Sequence, residues 1–160
     1  MTATQKPLLE VNNLKKYFPI KRGIFGRTVG QVKAVDDVSF TIGRHETLGI
    51  VGESGCGKTT VGRTVLRLIE PTAGTAHFNG QSIFDLKSEA LRKLRPKMQI
   101  IFQDPYSSLN PRMTVDSLIG DAMSYHGLVS ESERRARIKD LLVRVGLQPS
   151  YINRYPHEFS

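Results

Sequence analysis

With 160 residues, 39% of them hydrophobic and 24% charged, the chain is long enough to bury a core and too apolar to be disordered. It has no apolar run of eighteen residues, which excludes a membrane-spanning helix of the usual kind, and its single cysteine, Cys56, excludes an internal disulfide and a thiolate metal site. The formal charge of +8 is uneven: residues 1–33 hold seven Lys/Arg against one acid, Glu10. Such a block fits a solvated strand and loop, or contact with nucleic acid or an anionic membrane, and Tyr17, Phe18 and Phe25 interleave it. The start, MTATQKPLLE, lacks the apolar core of a signal peptide, so a cytoplasmic location is expected.

In chain order, LLEVNNL (8–14) reads as a short strand, and 15–31, with one proline and three glycines, as a long loop or a hairpin. VKAVDDVSFTI (32–42) alternates apolar and polar residues, as a half-buried strand does. ETLGIVG (46–52) is an apolar run ending on glycine and is expected to be a buried strand. KTTVGRTVLRLIE (58–70) places Val61, Val65, Leu68 and Ile69 on one helical face, with Pro71 after its end. GTAHFNG (74–80) reads as a strand between turns, and SEALRKL (88–94) as a short helix with Ser88 as its N-cap. MQIIFQD (98–104) is expected to be a second buried strand. Residues 114–127 and 130–146 read as helices, the second opening on the capping box Ser130-x-x-Glu133 and ending before Gly146.

The stretch GESGCGKT (52–59) fits G-x-x-x-x-G-K-[ST] without mismatch, between an apolar run and an amphipathic helix. Gly52, Gly55 and Gly57 admit backbone angles closed to other residues and a close approach of ligand to main chain. The amides of Glu53, Ser54, Gly55, Cys56, Gly57, Lys58 and Thr59 are expected to form an anion nest at a helix N-terminus. Lys58 adds a full charge for the β- and γ-phosphates, the Thr59 hydroxyl is placed for Mg²⁺, and Thr60 for the α-phosphate. Cys56 sits in the same loop, so a thiol probe should report on it. The motif indicates a nucleoside triphosphate but no particular reaction.

Gln103-Asp104 admits two chemical readings. Apolar residues followed by an acid fit a Walker B strand, with Asp104 holding Mg²⁺ through water. Alternatively, the Gln103 amide oxygen touches Mg²⁺ or the attacking water. A strand end before a Pro105 turn is the third reading.

Together LGIVGESGCGKTTVGRTVLRLIEPTAGT, MQIIFQDPYSSLNPRMTV and RYPHEFS resemble the ATP-binding subunits of ABC transporters, in particular the dipeptide/oligopeptide (and nickel) importer group. The resemblance covers about Leu8 to Ser160 and favours Gln103 as the Q-loop residue, a Mg²⁺ ligand and catalytic group beside Lys58. It implies an α/β P-loop NTPase core with an antiparallel β-layer (about 1–45 and 74–80), parallel strands at 46–52 and 98–103, and a partial helical subdomain. The domains would be 1–103 and 104–160. It places Phe18 as the ring that stacks on adenine. It implies ATP and Mg²⁺ as cofactors, a head-to-tail second ATPase subunit, membrane permease subunits and, indirectly, a substrate-binding protein, with no nucleic acid. The parent would be peripheral on the cytoplasmic face of the bacterial inner membrane and would couple ATP hydrolysis to peptide uptake. In the family, PHEFS runs into Gly-Gly-Gln and completes the signature motif, so the chain is expected to be an N-terminal portion, inactive alone. The alternative is a self-sufficient P-loop kinase or NTPase with Asp104 as its Mg²⁺ residue.

Overall fold

The structure, a computed structural model, describes residues 6–23, 26–104 and 108–159. Phe25, the Pro105 turn and Ser160 lie outside the described residues. The chain forms two compact units, residues 1–91 and 92–160.

The first unit is built on one antiparallel sheet. Strands β1 (Leu9–Arg22) and β2 (Arg27–Ile42) form a long hairpin in register from Leu9 opposite Ile42 to Arg22 opposite Arg27. Of the two readings of residues 15–31, the hairpin is the one realised. β3 (Ala73–Phe78) adds to the other side of β1, and the short β4 (Gln81–Ser82) completes the order β2-β1-β3-β4. Asn79 and Gly80, at φ 51° and 79°, turn the chain between them. Two left-handed residues make the tight turn whose twist suits a two-residue hairpin.

β1 and β2 are bulged where Asn13 and Asp37 take left-handed angles, and the Asn13 amide donates to the Asp37 carboxylate at 3.0 Å. β3 pairs with β1 only as far as Lys15 opposite Ala73. Beyond that point, β1 and β2 continue as a two-stranded ribbon.

Helix α1 (Lys58–Val65) lies against β1 and β2. Val61, Thr64 and Val65 turn inward, and Val11, Leu14, Val35, Ala76 and Ile83 complete a small core. The Thr64 hydroxyl is buried yet satisfied, donating to the Thr60 carbonyl at 2.7 Å.

The expected helix over 58–70 is shorter, and the cause is local. Arg67 takes a left-handed φ of 51°, and its amide donates to the Thr64 carbonyl while that of Leu68 donates to Arg63. This pair of bonds closes the last turn as a Schellman motif does, with arginine where glycine is usual. The Arg67 side chain is held by Glu70 at 3.0 Å and by the Leu86 carbonyl at 2.6 Å. Leu68, beyond the helix, is exposed.

The two expected buried strands are corrected. Neither 46–52 nor 98–103 is a strand, and neither is buried. Val51 is 96% exposed and Ile101 92%. A parallel strand is stable only when ladder partners take up its amides and carbonyls and other layers cover its faces. Neither segment has a ladder partner among the described residues.

α2 (Ser88–Leu94) ends the first unit and begins the second. The second unit packs α3 (Val115–Tyr125) against α4 (Glu131–Arg144) around Ile138, Leu142 and Ile152. The Thr114 hydroxyl caps α3, accepting from the Ser117 amide. Glu133 in the first turn of α4 accepts from the Ser130 amide and hydroxyl. Those bonds hold its carboxyl below the ordinary value.

The 151–159 tail is structured. Tyr151 and Phe159 meet edge to face with centroids 5.6 Å apart, the Arg154 guanidinium lies 3.8 Å over the Tyr151 ring, and Pro156 is buried.

Candidate functional site

The phosphate-type loop, 52–59, lies wholly in the first unit and runs directly into α1. Gly55 and Gly57 take φ 83° and 99°. At Gly57 a side chain is impossible for a second reason: a Cβ there would meet the Ala34 carbonyl oxygen at 2.1 Å. The last loop glycine is therefore pressed onto β2, which fixes where the helix starts.

The first amides of a helix have no acceptor within it. In α1 the first backbone bond into the loop is Val61 N–H to the Gly57 carbonyl, at 2.9 Å. The Gly57–Thr60 amides thus form a cluster of donors aimed ahead of the helix, which suits an anion.

Lys58 turns back over this loop. Its ammonium donates to the Gly52 carbonyl at 2.7 Å and the Glu53 carbonyl at 2.6 Å, and lies 3.4 Å from the Cys56 sulfur. Its charge is thereby held at the loop mouth. Glu53, Ser54, Gly55, Cys56 and Thr59 are exposed, while Gly57, Lys58 and Thr60 are half-buried.

A cleft of about 580 Å³ adjoins the loop. Val35, Val38, Phe40, Leu48, Ile50 and Val61 contribute to its walls. So many aliphatic and aromatic groups suit a packed strand better than a triphosphate, whereas the loop mouth presents the Lys58 charge and the first amides of α1.

Strand alternation separates the two rings of β1. Phe18 stands opposite Val32, is 38% exposed, and has the Lys16 ammonium 4.8 Å from its centroid. Tyr17 stands opposite Lys33 on the other face, and its hydroxyl donates to Asp36. Lys33 bridges to the same carboxylate at 3.1 Å and lies 5.3 Å from the Tyr17 ring. The Tyr17 hydroxyl, then Lys33, hold the Asp36 carboxyl below its ordinary value. The same hydrogen bond pushes the Tyr17 phenol up. The Tyr17–Asp36–Lys33 group and the seat of Lys16 were not foreseen from sequence. Two-residue spacing along a strand would have indicated Lys16 over Phe18, but cross-strand register is invisible without the hairpin.

Gln103 and Asp104 belong to the second unit, are exposed, and lie in a bend rather than at the end of a strand. No group of three or more His, Cys, Asp or Glu among the described residues is placed to hold a metal ion. A divalent ion here would depend on hydroxyl, amide and phosphate oxygens.

A sequence profile of the ABC transporter family matches residues 35–160, which takes in the loop, α1, Gln103 and both helices of the second unit. This chain belongs to the ABC transporter family. It is 54% identical over 159 residues to the oligopeptide transport ATP-binding protein AppF of Bacillus subtilis (strain 168), covering 99% of this chain and 48% of that protein. It is 49% identical to the glutathione import ATP-binding protein GsiA of Pectobacterium atrosepticum, covering 99% of this chain and 25% of that one. It is 44% identical to the dipeptide transport ATP-binding protein DppF of Haemophilus influenzae, covering 96% and 47%.

Among solved structures it resembles a dimeric post-hydrolysis state of the ATP-binding cassette MJ0796 bound to ADP and Pi. The TM-score is 0.73 at 26% identity, over 95% of this chain and 63% of that one. The chain thus spans about half the length, or less, of the curated relatives it matches. The α/β cassette fold is as expected. The family does not favour the reading of a self-sufficient kinase built on Asp104, because these relatives are transport ATP-binding proteins.

Proposed function

We propose that the chain holds the nucleotide in an ABC importer subunit that couples ATP binding and hydrolysis to uptake of di- or oligopeptides. The observation that carries this reading is the loop itself. Gly57 is pressed onto β2, the first amides of α1 point outward, and the Lys58 ammonium is held at the mouth by the Gly52 and Glu53 carbonyls.

In this reading the amides of residues 53–59 and the Lys58 charge clamp the β- and γ-phosphates. Lys58 exchanges its two carbonyl partners for phosphate oxygens. Thr60 adds a hydroxyl to the α-phosphate. Phe18 offers a half-exposed ring to adenine. Mg²⁺ would take the Thr59 hydroxyl as a ligand and would neutralise charge on the transferring phosphoryl group; Gln103 is the second ligand that the family resemblance implies. Gln103 orients the attacking water but is no proton acceptor at neutral pH. Hydrolysis therefore depends on further groups, among them those of a second ATPase subunit packed head to tail. Permease subunits, and through them a substrate-binding protein, supply the cargo. The subunit works from the cytoplasmic face of the inner membrane.

Calorimetric titration tests the reading. The chain should bind Mg-ATP and Mg-ADP, and Lys58→Ala should weaken both by roughly 10- to 100-fold, the loss of charge-assisted hydrogen bonds. Equal affinity in that variant would remove the loop assignment. Phosphate release from residues 1–160 that Asp104→Asn abolishes would restore the self-sufficient enzyme.

A further inference from the structure

We propose that the described outer part of the β1–β2 ribbon, residues 18–23 and 26–32, is a docking element for an anionic membrane surface. β3 leaves β1 at Lys15, the Thr72 hydroxyl still accepts from the Tyr17 amide, and past Tyr17 no third strand among the described residues pairs with the ribbon. Over 18–23 and 26–32 every residue is exposed except the half-buried Gly30.

Two kinds of side chain crowd this bare segment. Ile20, Val29 and Val32 are 44%, 57% and 53% exposed. Single exposed aliphatics are ordinary, but three within one short two-stranded ribbon gain from being covered. The second kind is cationic. From Val11 to Val35 the sequence contains no acid. Lys33 is engaged by Asp36, and Lys15 lies 3.9 Å from Asp37. Lys16, Lys21, Arg22 and Arg27 have no acidic partner among the described residues.

The decisive pair is Arg22 and Arg27, which stand directly opposite each other across the ribbon. Like charges in that position destabilise a strand pair. An anionic surface neutralises both at once.

The mixture selects the partner. Cations beside aliphatic side chains match the boundary between lipid headgroups and acyl chains, where the charges meet phosphates and the aliphatics leave water. A nucleic acid would satisfy the charges but would leave the exposed aliphatic groups of Ile20, Val29 and Val32 in water. Phe18, exposed and directly opposite Val32, borders this surface.

Sedimentation of the chain with lipid vesicles tests this, one set of phosphatidylcholine alone and one containing a third phosphatidylglycerol. Binding should be confined to the anionic vesicles and be reversed by high salt. The triple variant Lys21→Gln/Arg22→Gln/Arg27→Gln should lose about two orders of magnitude in partitioning. Ile20→Ser/Val29→Ser should lose roughly tenfold. Arg22→Gln alone should raise the melting temperature by relieving the opposed pair while lowering vesicle binding, a combination that misfolding does not produce. Lys58→Ala should bind vesicles as the parent does, and the ribbon variants should retain Mg-ATP binding. Equal binding to neutral vesicles, no binding, or undiminished binding by the triple variant would overturn the proposal. Tighter binding to a single-stranded oligonucleotide than to anionic vesicles would overturn it in favour of nucleic acid.

Discussion

The ammonium of Lys58 lies 2.7 Å from the carbonyl oxygen of Gly52, closing the loop from its far end onto its beginning. The same ammonium is 3.4 Å from the sulfur of Cys56, which is exposed. A phosphate entering the nest competes for Lys58 and covers the thiol together. Maleimide labelling of Cys56 should therefore be fast in the nucleotide-free chain and slowed several-fold by Mg-ATP. In Lys58→Ala the protection should vanish while labelling itself continues. Unchanged labelling rates on adding Mg-ATP to the parent chain would mean that phosphate does not enter the loop.

Gly57 and Gly62, five residues apart, separate loop geometry from helix propensity. Gly57 combines a φ of 99° with an Ala34 carbonyl that leaves no room for a Cβ. Gly62, inside α1, would place a Cβ in open space. Gly57→Ala should destabilise the first unit by about 2 kcal/mol or more and abolish nucleotide binding, because the loop must leave β2. Gly62→Ala should stabilise α1 by roughly 0.5–1 kcal/mol. Thermal denaturation of the two variants, read beside Mg-ATP titration, checks both signs.

The start of α4 makes a prediction with a definite pH sign. Hydrogen bonds from Ser130 hold the Glu133 carboxyl below its ordinary value of 4.5. A carboxyl depressed by folding contributes stability that is full above its unfolded value and is lost as pH falls through the folded one. Glu133→Gln should thus be less stable than the parent at neutral pH, and the difference should close as the pH is taken below 4.5. Ser130→Ala removes the hydroxyl that binds this carboxylate and should cost about 1 kcal/mol at neutral pH. A pH-independent gap between Glu133→Gln and the parent, followed by circular dichroism, would contradict the assignment.

What the sequence revealed was local. The loop at 52–59 was legible because its glycines, lysine and following helix each carry their signal within a few residues. The cap Ser130 was legible for the same reason. The end of α1 was not, because Arg67 takes an angle that its side chain does not advertise, and its hold on Glu70 and Leu86 comes only from the folded chain. Residues 46–52 and 98–103 misled in the opposite direction. Their composition is that of buried strands, but a strand is defined by its partners, and composition cannot say whether these are present. The Tyr17–Asp36–Lys33 group depends on cross-strand register, which is likewise beyond local reading.

That mismatch between composition and structure has a measurable consequence. Val51 and Ile101 are almost wholly exposed, and Leu48, Ile50, Ile100 and Phe102 are each at least a third exposed. These stretches expose unladdered backbone beside apolar side chains, the combination through which chains pair with one another. The chain on its own should self-associate at micromolar concentration and elute ahead of a 17.9 kDa monomer. Val51→Lys/Ile101→Lys should shift it toward the monomer and reduce light scattering, because a charge in each stretch opposes edge-to-edge pairing. Neither position belongs to the proposed phosphate clamp, so Mg-ATP binding per folded chain should persist. If the parent runs as a monodisperse monomer with a cooperative thermal transition, these segments are covered in solution, and the exposed edges do not govern how the chain behaves.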